Sequence, residues 1–262
     1  IEIYKTMKNY ILPIIFILFP TIFFSQSISS ALHISEPYKI NQKKAIKKIE
    51  TKTIFYNNQN QEKRKEITYL NDRFRLIKEE RYNEDGEMIF SMQNEYLSDT
   101  LKVKSTTVRK IPLIGNEIFH TTYEYDAQNF LTKIVKRSQN NTIFETVHLQ
   151  NDDRGNPILL YLNNGELGYE KASYDYVNNT YSTYYYRAND ELITSDLSSP
   201  LDFNEPIEGY RYNEFGDMVE TPLYLMEYQY DDFGNWTREK RYQKVGNQKI
   251  LKAEVSRKIK YQ

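Results

Sequence analysis

A seven-residue corner recurs along this chain, and it restricts the fold to extended segments joined by tight turns. The corner reads Tyr, then Asp or Asn, two variable residues, Gly or Asn, one more residue, and a large apolar side chain. Its sharpest copy is Tyr230-Asp231-Asp232-Phe233-Gly234-Asn235-Trp236. Further copies run from Tyr212 to Met218, from Tyr82 to Met88 and from Tyr125 to Leu131. Asn151 to Pro157 keeps Asp152 and Gly155 but lacks the Tyr, and Tyr186 to Leu192 carries Asp190 at the Gly position. An Asp or Asn oxygen accepts backbone N–H groups two residues on and so starts a turn. Gly takes positive φ without a Cβ clash, and Asn and Asp tolerate it best among the rest. One position filled by Gly86, Asn129, Gly155, Asp190, Gly216 and Gly234 therefore reads as a left-handed turn residue. Asp126, Asp152 and Asp231 read as turn starters at the position before the variable pair. On this reading Gly234→Val should destabilise more than Gly246→Val, since Gly246 lies outside the corner pattern.

Between corners the sequence alternates polar and apolar residues, the period of a strand with one covered face and one wet face. The C-terminus is clearest: Leu251, Ala253, Val255, Ile259 and Tyr261 share one face, with Arg257 as the exception among them. The corner steps of 43, 26, 35, 26 and 18 residues suit one or two strands per unit with insertions, not a strict solenoid period. The expected fold is all-β, a meander of antiparallel β-hairpins over 53–262, forming a twisted or curled sheet.

The Tyr-x-Tyr-Asp-x-x-Gly-Asn run at Tyr228 to Asn235 resembles the YD repeat of the Rhs family. Tyr210 to Asp217 and Tyr123 to Asn129 are weaker matches. The resemblance implies long β-sheets and an extracellular setting. Large members of that family coil such sheets into a shell around a toxic C-terminal domain. This chain is far shorter and shows no Asp-Pro-x-Gly boundary, so the resemblance implies the fold and not toxicity. The repeat supplies no catalytic residues to transfer.

The first 52 residues read as an address. Residues 1–6 precede Met7 and look like upstream read-through. Residues 7–25 have the pattern of a signal peptide: Lys8, an apolar stretch from Ile11 to Phe24, and Ser25 as a small residue for cleavage. That stretch is short of the roughly 20 residues that span a bilayer as a helix, and a retained anchor is the alternative. No later segment is apolar enough to span. Residues 26–52 read as a Lys- and Ser-rich tether, solvated, with Ile40, Ile46 and Ile49 able to line a short helix. The expected location is secreted or in the cell envelope.

Chemistry is thinly represented. Zero Cys removes disulfides, thiolate metal sites and Cys nucleophiles. A net charge of -1 gives no bulk electrostatic case for nucleic acid. His33 lies in the tether, and His120 and His148 sit in separate strand-like segments without neighbouring acids at ligand spacing, so no metal or other cofactor is expected. Asn151, Asp153 and Asn156 offer a mild calcium option without the closing Glu of an EF-hand loop. Asp152-Asp153 and Asp231-Asp232 are paired acids, but both sit inside the corner, where Asp has a structural task. The 24 Tyr are the feature best able to bind something. Tyr184 and Tyr186 share a strand face, while Tyr228, Tyr230 and Trp236 form a second cluster. Tyr is also a good strand residue that covers a sheet while its hydroxyl stays wet.

The expected function is an exported, non-enzymatic β-repeat module that binds or builds surface structure. Its expected partners are a surface polysaccharide or another envelope protein, with no nucleic acid. The alternatives are a secreted hydrolase using a carboxylate pair on polysaccharide or peptide, and an exported subunit of a larger Rhs-like assembly.

Overall fold

A computed structural model describes residues 27–57, 60–202 and 209–262. The segments read as upstream sequence and signal peptide, together with Gln26, lie outside the described residues. The described chain is almost wholly antiparallel sheet. Its one helix, α1, is Ile28–Leu32. The first strands are β1 (Ile46–Asn57), β2 (Asn60–Leu70), β3 (Leu76–Tyr82), β4 (Met88–Leu97), β5 (Leu101–Ile111) and β6 (Gly115–Tyr125). Next come β7 (Leu131–Ser138), β8 (Ile143–Asn151), β9 (Pro157–Leu162), β10 (Tyr169–Asp175), β11 (Thr180–Tyr186) and β12 (Leu192–Pro200). The last are β13 (Arg211–Tyr212), β14 (Met218–Glu220), β15 (Tyr224–Tyr230), β16 (Trp236–Val245) and β17 (Gln248–Tyr261).

Consecutive strands pair as hairpins from β1 to β12, and again from β13 to β17. The first and last strands also meet, since β1 pairs with β17 from Ile46 opposite Tyr261 to Phe55 opposite Ala253. The meander is therefore drawn toward a ring, and among the described residues it stays open between β12 and β13.

The corners share one geometry. At Asp231 the backbone N–H donates to the Asn235 carbonyl (2.9 Å), and Gly234 N–H donates to the Asp231 carbonyl (3.0 Å). Asp231 Oδ1 accepts from the N–H groups of Phe233 and Asn235 at 3.0 and 2.9 Å. Asp126, Asp152 and Asn213 make the same four bonds. So does Asn71, which the sequence reading missed because Phe74 occupies its positive-φ position (57°). The strand register slips by one residue beside these corners, at Gln229/Tyr230, Glu124/Tyr125, Gln150/Asn151 and Tyr69/Leu70. This is a three-residue hairpin loop closed by a left-handed residue and a bulge. The φ angles at 86, 129, 155, 190, 216 and 234 run from 64° to 86°.

The ordering expected for Gly234→Val and Gly246→Val rests on a different ground from the corner pattern. Gly246 also has positive φ, 56°, so backbone conformation does not set Gly234 apart from it. The difference is packing: a Cβ at Gly234 meets Asn41 Nδ2 at 2.9 Å, whereas one at Gly246 meets nothing within 4 Å.

The tether expectation fails. Residues 27–45 lie along one face of the sheet, and the strand region begins at Ile46 rather than 53. Ile28 and Ala31 of α1 are buried against Leu131, Ile134, Val147, Leu149 and Leu160. Ile28 N–H donates to Glu170 Oε2 (2.8 Å), and Tyr181 OH donates to Ser29 Oγ (2.9 Å), which ties the segment to β10 and β11. Further on, Tyr38 N–H donates to the Phe74 carbonyl (2.7 Å) and Asn41 N–H to Asn235 Oδ1 (2.7 Å). Ile40 packs on the buried trio Ile46, Ile49 and Leu70, so Ile40, Ile46 and Ile49 meet in a sheet core and not on a helix. Apolar burial at about 25 cal/mol per Å² is what holds such a strap down, and its lysines stay at the rim.

Candidate functional site

The corner acid pairs Asp152-Asp153 and Asp231-Asp232 come first. At Asp152 one oxygen holds the turn, and the other accepts from Tyr176 OH, whose oxygen in turn accepts from Asn156 Nδ2 (2.8 Å). At Asp231 the second oxygen accepts from Tyr261 OH, and Asn235 Nδ2 donates to that hydroxyl (3.1 Å). At the corner starting on Asn213, Tyr230 OH donates to Asp217 Oδ2 (2.7 Å) and accepts from Asn213 Nδ2 (2.6 Å). A tyrosine from the adjoining strands thus locks a corner by the same motif three times. Burial raises the Asp152 carboxyl, but the hydrogen bonds from Tyr176, Asn156 and Arg154 outweigh it and hold the group below its ordinary range. A general acid needs the opposite shift. Asp153 and Asp232 are exposed beside their partners.

Of the calcium candidates, Asn151 and Asn156 are oriented by bonds from their amide nitrogens, and Asp153 is exposed. Asn151 Nδ2 donates to the Leu131 carbonyl (2.9 Å), and Asn156 is engaged with Tyr176 and Asp152. Among the described residues no three His, Asp or Glu side chains converge as a metal centre. His120 meets Thr106 Oγ1 (3.2 Å), and His33 meets Glu36 (2.6 Å).

The two tyrosine clusters fall on opposite faces. Tyr228 stands on the covered face beside Trp236, with ring centroids 5.9 Å apart, and the Arg257 guanidinium lies 3.3 Å over the indole. Arg257 was the break in the apolar alternation of the last strand; it is half-buried, and stacking on Trp236 offsets its desolvation. Buried Glu239 neighbours it, paired with Arg241. Tyr230 stacks on Phe215 at 4.0 Å and is committed to its corner. These three aromatics are structural in their contacts.

Tyr184 and Tyr186 are on the uncovered face, and here the structure adds partners that sequence distance hid. Tyr186 stacks on Tyr169 with centroids 5.0 Å apart and planes at 19°. Tyr169 stands opposite Tyr161 in the β9–β10 register, and Tyr161 stacks on His148 at 5.0 Å and 15°. Lys171, the register partner of Tyr184, holds its ammonium 5.2 Å from the Tyr169 centroid and 5.4 Å from that of Tyr186. A row of four rings therefore crosses β8 to β11 on one face, each half-exposed. Cross-strand aromatic pairs stabilise a sheet by roughly 0.2–1 kcal/mol each, and the exposed edges leave a flat apolar strip with hydroxyls along it.

No family model matches the chain, and no curated protein matches it. Among solved structures, it is similar to a porin-like protein from Bacteroides uniformis, at 10% identity and TM-score 0.28, over 82% of this chain and 98% of that one. It is similar to the Photorhabdus luminescens Tc holotoxin pore at 12% identity and TM-score 0.20, over 72% of this chain and 9% of that one. The TcdB2-TccC3-TEV structure matches at 10% identity and TM-score 0.24, over 77% and 15%. Likeness at this level assigns neither a family nor an activity. Among the described residues no helix is long and apolar enough to cross a membrane. The uncovered face carries ion pairs such as Lys65–Glu50 (3.6 Å) and Lys78–Glu80 (2.7 Å), where a lipid-facing strand surface would be apolar.

Proposed function

We propose that the chain is an exported, non-enzymatic β-repeat module that binds surface polysaccharide or an envelope protein through its sheet. The observation that carries this reading is the ring row His148, Tyr161, Tyr169 and Tyr186 on a face that nothing among the described residues covers. Rigid amphipathic rings present contact area at low entropic cost, which suits stacking on sugar rings. The engagement of Asp152 and Asp231 in their corners supports a binding role over acid–base work. The export signal and the envelope or extracellular setting belong to the same proposal. They are supported by the sequence pattern of residues 7–25 and by the Rhs resemblance.

The test is retention on, and turnover of, β-glucan and purified peptidoglycan. Retention without turnover is expected, and Tyr161→Ala with Tyr186→Ala should weaken it roughly tenfold, at about 0.5–1.5 kcal/mol per ring contact. Product release that disappears in Asp152→Asn or Asp231→Asn would establish the hydrolase instead. Equal retention by the parent and the double Tyr variant would remove the ring row from the site.

A further inference from the structure

The net charge of -1 conceals a strongly basic region of the sheet. The strand registers place the uncovered side chains of β3, β2, β1, β17 and β16 in cross-strand rows. One row runs Tyr82, Lys65, Lys52, Ser256, Arg238. The next runs Lys63, Ile54, Glu254, Lys240. Beyond them come Glu80, Ile67, Glu50, Lys258, and then Lys78, Tyr69, Lys48, Lys260. Counting along the four rows gives nine cations against three carboxylates, an excess of six. The first two rows line a groove of about 590 Å³, with Lys52, Lys63, Arg64, Lys65, Arg238 and Lys240 around it against Glu84, Glu239 and Glu254. The opposite side of the same strands is balanced, with Arg81 on Glu79 and Arg241 on Glu239, so the excess belongs to one face.

We infer that this face binds a linear acidic polysaccharide. This deepens the binding reading and rests on it, with the ring row as a separate surface on other strands. Three observations choose the occupant. The charge is spread in parallel rows along long strands, which matches a polymer with a charge on each repeat and not a single small anion. Eight of the nine cations are Lys, compact point charges suited to scattered carboxylates or sulfates; the bidentate fork of Arg, favoured on phosphodiester backbones, occurs once, at Arg238. The large apolar side chains in the rows are Ile54 and Ile67, and Ile67 is buried, so the face lacks the apolar wedge by which surface helices enter a bilayer. Tyr69 lies beneath the ammoniums of Lys48 and Lys78 (5.7 and 5.6 Å), and Tyr82 beneath that of Lys65 (5.5 Å). These rings hold the lysines upright at the surface.

The experiment measures binding of the chain to alginate, a linear polyuronate, with duplex DNA and phosphatidylglycerol vesicles as the other arms. The variant is Lys52→Glu, Lys65→Glu, Lys240→Glu. A charge-matched control is Lys104→Glu, Lys110→Glu, Lys133→Glu, three residues that lie on the same uncovered face but on other strands. Circular dichroism melting checks that both fold. Alginate binding should fall at least tenfold in the first variant, hold in the control, and weaken steeply with salt. Tyr161→Ala with Tyr186→Ala should leave it unchanged, which separates this face from the ring row. Equal losses in the two charge variants would reduce the effect to bulk charge and overturn the inference. Tighter binding of DNA or of vesicles than of alginate would assign the face to that partner and overturn it too.

Discussion

Gly168→Ala should lower the unfolding free energy by about 3–5 kcal/mol, more than the corner glycines Gly86 and Gly216. Gly168 closes the β9–β10 connection at φ 105°, a conformation that side chains with a Cβ rarely adopt. A Cβ there would run into the Tyr186 carbonyl oxygen, with Arg187 Cα at 3.1 Å and the Tyr186 carbonyl carbon at 3.2 Å. All three are backbone atoms at the end of β11, so no rotamer change relieves the overlap. Strand and turn would have to part, and the Tyr169–Tyr186 stack would open with them. Gly86 and Gly216 have φ of 79° each and open space where a Cβ would go. Their Ala variants should suffer the conformational cost alone, of order 1–2 kcal/mol. Urea unfolding of the three variants separates the cases, and equal midpoints would show that Gly168 is not clamped against β11.

Lys102→Met should stabilise the protein at pH 7 by about 1–3 kcal/mol. Lys102 enters β5 with its ammonium 5.6 Å from the Tyr123 centroid, and burial lowers its pKa from 10.5 to about 8. The folded state therefore disfavours the charged form. Below about 8 the amine is charged in both states and the penalty is felt in full. As pH rises past that value the folded protein releases its proton first, and the penalty fades until the unfolded chain also deprotonates near 10.5. The melting-temperature gap between Lys102→Met and the parent should be widest at pH 7 and close by about pH 11. A gap that stays constant, or a variant less stable at pH 7, would mean that the ammonium's attraction to Tyr123 outweighs its desolvation.

The corners were readable because positive φ limits the residue type so sharply: Gly86, Asn129, Asp190 and Gly234 announce their conformation on their own. Asn71 shows where that signal ends, since Phe74 holds φ 57° with no compositional trace. Pairing of β1 with β17 joins residues some 200 positions apart, and nothing local marks it. Residues 26–52 read as a solvated tether because of six Lys, of which Lys39, Lys43 and Lys44 belong to the strap over 27–45 and Lys47, Lys48 and Lys52 to β1. The residues that dock the strap, Ile28, Ala31, Tyr38 and Ile40, find their partners on β7 to β9 and near Phe74. Tyr184 and Tyr186 were visible, yet Tyr161, Tyr169 and His148 became their neighbours only through register. The lysine face was invisible for a different reason: a summed charge of -1 says nothing about which side of a strand each charge occupies.

The most direct measurement replaces Asp152 and Asp231 together, once by Asn and once by Ala, and follows unfolding in urea. Asn offers the same oxygen to the two backbone N–H groups, as Asn71 and Asn213 do in their own corners. The Asn double variant should keep both turns but weaken the bonds from Tyr176 and Tyr261, losing about 1 kcal/mol per corner, and the Ala double variant should lose about 2 kcal/mol or more per corner. If Asn were as damaging as Ala, or left the fold intact while erasing a measurable turnover, the carboxylates would be there for their charge and not for the shape of the chain.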